Sequence, residues 1–110
     1  MLAPINRLTS REDFQRVTKS RTRSHTKTLT GYLLSEPNLS EPKIGFIVAG
    51  NVGSSVNRHR VARQLRHASR NSIHILPKSS LVVVRANKLN QSAEVEIPEL
   101  FTSLSKKASA

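Results

Sequence analysis

Five arginines, Arg58, Arg60, Arg63, Arg66 and Arg70, crowd into one short segment, and no acidic residue occurs anywhere between residues 42 and 93. Guanidinium groups hold phosphate oxygens through paired N–H donors, so a run of them without a nearby carboxylate is chemistry for a polyanion. Wound as a helix at about 100° per residue, Val61, Leu65 and Ala68 fall within roughly 60° of one another and make a core stripe. Arg60, Arg63, Arg66 and Arg70 fall inside an arc of about 120° centred nearly opposite, with Arg58 apart at the first turn. Such a helix rises about 18 Å from Arg58 to Arg70, long enough to meet several phosphates of a folded nucleic acid. A merely solvated face would mix signs for solubility, whereas this one is cationic throughout.

The composition agrees. The chain has 18 Lys and Arg against 7 Asp and Glu, a net charge of +11 on 110 residues. The excess is concentrated, since residues 42–93 hold nine bases and no acid while residues 1–41 hold seven bases and four acids. A membrane surface would also attract cations, but an interfacial helix needs bulky apolar residues and this one offers Val, Ala and one Leu. Nucleic acid is the expected partner, with no membrane.

Chemistry carried by the protein itself finds little support. A histidine-based nuclease needs a paired acid and base, and a magnesium nuclease needs clustered carboxylates. Glu12 reads as a helix cap, Glu94, Glu96 and Glu99 read as acids at a helix start, and His25 and His74 lack partners at ligand spacing. His59 and His67 sit on the arginine helix. No catalytic residue and no metal ligand set is expected, and the absence of Cys excludes a thiolate site and fits a reducing compartment. No apolar run has the length of a signal peptide or a membrane span, which points to a soluble, cytoplasmic protein.

These side chains must be positioned by a compact unit, and 110 residues with 36% apolar content support one domain, with a core over about residues 5–105 and a flexible tail at 106–110. Thr9 and Glu12 form a capping-box pattern before Phe14 and Val17, which predicts a first helix over residues 10–19. Residues 28–34 read as a strand with Thr28, Thr30 and Tyr32 on one face, and residues 44–49 as a buried strand. Gly50, Asn51 and Gly53 make a loop, Ser54 or Ser55 caps the arginine helix over residues 55–72, and residues 81–85 form the most strand-like segment. A last helix is expected with Pro98 at its first position and Leu100, Phe101 and Leu104 against the core. Strand, helix, strand around the arginines suggests a parallel pair, and an α/β sandwich with its helices on one face.

Residues 52–70, VGSSVNRHRVARQLRHASR, resemble the signature segment of the bacterial ribonuclease P protein family. Asn6, Arg7 and Leu8 before a helix bearing Phe14, a strand with Tyr32, the Ile44-Gly45-Phe46 strand, a Val-rich strand and a closing helix follow that family's order. The resemblance implies an α+β two-layer sandwich with a sheet of about four strands and three helices, order α-β-β-α-β-α. It also implies a left-handed βαβ crossover, against the usual rule. It implies two partners, ribonuclease P RNA and precursor tRNA, whose 5′ leader is removed by the RNA with Mg2+ while the protein binds no cofactor. Carried onto this chain, Arg58, His59, Arg60, Arg63, Arg66 and Arg70 would bind the catalytic RNA, and Phe14, Thr18, Lys19, Thr30 and Tyr32 would line a leader cleft between the first helix and the sheet.

The chain departs from the family pattern in places. His59 stands where Asn is common, Ala62 where Lys is common, Gly50 and Asn51 where a lysine pair is often found, and Thr18 replaces a second aromatic. The cleft is therefore expected to grip a leader less through loop lysines and more through Lys19, Arg21, Arg23 or Lys27. Two other classes remain at this point. One is a structural ribosomal-type RNA-binding protein of the same fold; the other is a helix-turn-helix DNA binder, which a strand before the arginine helix disfavours.

Overall fold

A computed structural model describes residues 3–88 and 92–109. In chain order it contains α1 (Arg11–Thr18), β1 (Thr22–His25), β2 (Leu29–Ser35), β3 (Lys43–Val48), α2 (Ser55–Ser72), β4 (Ser80–Ala86) and α3 (Ala93–Ser109). The strands make one sheet in the order β1-β2-β4-β3. β2 pairs antiparallel with β1 and β4, and β3 runs parallel to β4. Parallel neighbours need a long crossover, which α2 provides.

Four strands and three helices are present as expected, but β1 adds a strand that the order α-β-β-α-β-α lacks. Its sequence, Thr-Arg-Ser-His, is short and polar throughout, a composition suited to an edge strand that must not recruit another chain. The helices also lie on both faces, giving three layers where two were expected. Alternate residues of β4 divide the core: Val82 and Val84 join the cluster under α2 and α3, whereas Leu81 and Val83 join Leu8 and Val17 under α1. The unbroken apolar run of β4 is the mark of a strand buried on both sides.

α3 explains two further differences. It starts at Ala93, where the amides of Val95 and Glu96 donate to the Ser92 carbonyl, so Pro98 lies in its second turn and not at its first position. The proline forfeits one backbone bond. Ile97, Leu100, Phe101 and Leu104 are fully buried, and about 1.5–3 kcal/mol for each such side chain outweighs that loss. Leu100 and Leu104 pack onto Gly31 of β2, where a Cβ would come within 2.8 Å of Leu104 Cδ1. The helix continues to Ser109, so Lys106 and Lys107, expected in a flexible tail, are helical. Lys107 Nζ donates to the Arg23 carbonyl at 2.7 Å and ties α3 to β1. At the other end of the chain, Ser10 and not Thr9 caps α1, its Oγ accepting from the Asp13 amide at 3.4 Å.

Candidate nucleic-acid interface

α2 has the bounds its periodicity predicts. Ser54 caps it, with Oγ accepting from the Asn57 amide at 3.4 Å. Val61, Leu65 and Ala68 are buried together with Ser69 and Ser72, while Arg58, His59, Arg60, Arg63, Arg66 and Arg70 are all exposed. Among the described residues the ion pairs are Arg16 with Asp13 at 3.1 Å and Arg16 with Glu36 at 3.2 Å, so none of the α2 arginines is ion-paired, although Glu94 of α3 shares a pocket with Arg63 and His67. Arg60–Arg63, Arg63–Arg66 and Arg66–Arg70 are like-charge neighbours one turn apart. Each such pair costs about 0.2–0.5 kcal/mol, roughly 1 kcal/mol over the three. A polyanion laid across the helix would relieve that cost. Exposed Val56 joins His59, Arg60, Arg63 and Arg66 around a shallow groove of ≈ 500 Å³ on the same face.

The second expected surface lies across the sheet. Phe14, half-buried on α1, sits over Gly45 of β3, where a Cβ would overlap its ring. Glycine at this position lets the ring lie on the strand backbone. Phe14, Leu8, Thr9 and the 44–46 stretch of β3 line an open cleft of ≈ 540 Å³ that also includes Arg7 and Arg66. Arg66 thus borders both this cleft and the arginine groove, which makes the two surfaces continuous.

Strand register fixes where the other cleft residues fall. Arg23, Tyr32, Val83 and Gly45 form one row across the four strands, with Val83 fully buried between Tyr32 and the Phe14 ring above Gly45. Tyr32 is half-buried and packs against the α1-side cluster. Thr18 and Lys19 end α1 nearby in sequence; Lys19 is exposed, and the Thr18 hydroxyl turns back to the carbonyls of Phe14 and Gln15. Thr30 departs from expectation. It is buried, and its hydroxyl meets His25 Nδ1 at 3.1 Å and accepts from Asn87 Nδ2 at 2.8 Å. It therefore supports the surface instead of presenting one.

Three residues on this face were not assigned to a site by sequence reasoning. Arg23, offered only as one of four possible replacements for loop lysines, lies over Tyr32 with Cζ 5.0 Å from the ring centroid. Its Nε and Nη2 donate to the Ser20 carbonyl at 3.1 and 3.0 Å, and Nη2 also donates to the Thr18 carbonyl at 3.3 Å. Arg85 and His25, both exposed, flank Thr30 in the next row of the sheet. Of the replacements considered, Arg21 and Lys27 are exposed at either end of β1.

Glu96 also differs from its expected role as a helix-start acid. Its carboxylate is buried and accepts from Thr26 Oγ1 at 2.6 Å, the Thr28 amide at 2.8 Å and Thr28 Oγ1 at 2.8 Å. It pins the β1–β2 turn to α3, and with it the register that sets Arg23 beside Tyr32. Only its partners in the tertiary fold reveal this, because position 96 looks like any first-turn glutamate.

The family model described as Ribonuclease P matches residues 2–109. The chain is 37% identical over 106 residues to the ribonuclease P protein component of Nocardioides sp., covering 94% of this chain and 89% of that one. It is 34% identical to the ribonuclease P protein component of Bacillus velezensis, covering 96% of both. Among solved structures, the Staphylococcus aureus RNase P protein superposes with a TM-score of 0.71 at 20% identity, covering 94% of each chain. The Thermotoga maritima RNase P protein gives 0.65 at 19% identity, covering 94% of this chain and 91% of that one.

Proposed function

The chain belongs to the ribonuclease P protein family, and we propose that it holds ribonuclease P RNA on α2 and the 5′ leader of precursor tRNA in the cleft beside α1. The observation that carries this reading is an arginine face without ion pairs among the described residues, joined through Arg66 to an aromatic-lined cleft. Folded RNA is gripped chiefly through its phosphates, while single strands are held by stacking on aromatic rings beside a cationic groove. One continuous surface on this chain offers both. Hydrolysis then belongs to the RNA and the Mg2+ it binds, and the chain contributes substrate affinity in the cytoplasm. The ribosomal-type alternative is not favoured, because relatives spanning nearly the whole chain are ribonuclease P protein components.

Tyr32→Ala tests the cleft. Holoenzyme affinity for precursor tRNA with a leader of several nucleotides should fall by about 1–3 kcal/mol, the scale of one base-stacking contact. Affinity for mature tRNA and for the catalytic RNA should stay near wild type. Equal weakening of mature and precursor tRNA, or no change in either, would show that leader binding does not depend on Tyr32.

A further inference from the structure

Arg23 is held unusually firmly for an exposed arginine. Its guanidinium lies over the Tyr32 ring at 5.0 Å and donates to the carbonyls of Ser20 and Thr18. Its own carbonyl accepts from Lys107, so the backbone is pinned as well. It makes no ion pair among the described residues, and nothing here neutralises its charge. The group is thus a cationic plane at the β1 end of the row that runs through Tyr32 and the buried Val83 to Gly45 beneath the Phe14 ring.

We infer that Arg23 is a leader-contacting residue whose guanidinium plane, backed by Tyr32, stacks a nucleobase where the single strand leaves the cleft toward β1. Arginine planes stack on bases as aromatic rings do, and a plane already immobilised loses less freedom when a base arrives. Arg85 and His25 are exposed in the next row of the sheet, on either side of Thr30. Arg66 borders both the Phe14 cleft and the arginine groove, whereas Arg23 lies on β1 at the other end of the sheet row, so Arg23 meets nucleotides farther from the catalytic RNA. The inference rests on the leader reading of the cleft and adds a residue and a mode of contact to it.

The test compares Arg23→Gln and Arg23→Lys in holoenzyme assembled with ribonuclease P RNA, measuring binding of precursor tRNA with a leader of several nucleotides and of mature tRNA at two salt concentrations. The wild-type preference for precursor over mature tRNA should fall about tenfold in Arg23→Gln. Arg23→Lys should lose most of that preference too, because an ammonium keeps the charge but has no plane, and its salt dependence should match wild type. Full preference in Arg23→Lys would reduce the residue to a point charge and overturn the inference. So would a lowered melting temperature with parallel weakening of both tRNAs, which marks a structural clamp. If Tyr32→Ala abolishes the preference while both Arg23 variants retain it, the inference fails and the cleft reading stands. If the wild type shows no preference, both fail.

Discussion

Replacing Arg60, Arg63 and Arg66 together by alanine should weaken RNA binding while making the fold more stable. Each arginine is exposed and points away from Val61, Leu65 and Ala68, so no core contact is lost. On the binding side, each phosphate contact contributes about 0.7–0.9 to the slope of log affinity against log salt, so three lost contacts lower its magnitude by about 2–3. Between 50 and 200 mM salt this corresponds to roughly 20- to 40-fold less salt sensitivity than wild type. On the stability side, the substitution removes three like-charge pairs and adds three good helix formers, worth about 1 kcal/mol together. That should raise the melting temperature by roughly 4 °C. Filter binding to ribonuclease P RNA across a salt series and a thermal melt of the protein alone read the two sides separately. Unchanged affinity at every salt concentration would mean that the face is only solvated. A melting temperature several degrees lower would mean that the arginines have structural partners and that the reasoning from their isolation is wrong.

Two further predictions follow from packing. Gly45→Ala should displace the Phe14 ring from β3, costing about 1–3 kcal/mol of stability by overpacking and reducing precursor tRNA binding while catalytic RNA binding stays near wild type; denaturant unfolding and two binding titrations check it. Glu96→Ala should cost about 3 kcal/mol or more, because hydrogen bonds to a buried carboxylate are worth about 1.5–3 kcal/mol each and the Thr28 groups lose their acceptor, whereas Glu94→Ala, an exposed neighbour, should change unfolding by less than about 0.5 kcal/mol.

The arginine helix was legible because α2 answers to one local rule: a narrow apolar stripe at a period of 3.6, a serine cap, and charge on the remaining arc. β2, β3 and β4 were legible within a residue or two for a similar reason, as apolar runs between turn residues. β1 was not, since a short polar edge strand owes its existence to its partner and not to its own side chains. The placement of α1 on the opposite face was hidden as well. A continuous run such as Leu81 to Val84 signals burial on both sides but not which helix covers which. In the candidate site, Phe14 and Tyr32 came from resemblance, whereas the contacts that define them came from the fold. Phe14 rests on Gly45, thirty-one positions away in the chain. Tyr32 meets Arg23 only because β1 and β2 pair in one register, held by the Glu96 carboxylate reaching the turn between them. Thr30 shows the converse, a residue on the right face whose hydroxyl is already engaged by its neighbours.

The central claim is that this chain serves an RNA catalyst by holding RNA and leader. Reconstitution tests it most directly: purified chain, ribonuclease P RNA from the same organism, Mg2+ and a precursor tRNA, with each component also omitted in turn. The account predicts no cleavage by the protein alone, cleavage at the mature 5′ end when RNA is present, and a higher kcat/KM for leader-bearing substrate when the chain is added. Cleavage by the protein that survives stringent removal of RNA, or an RNA reaction that the chain leaves unchanged, would contradict it.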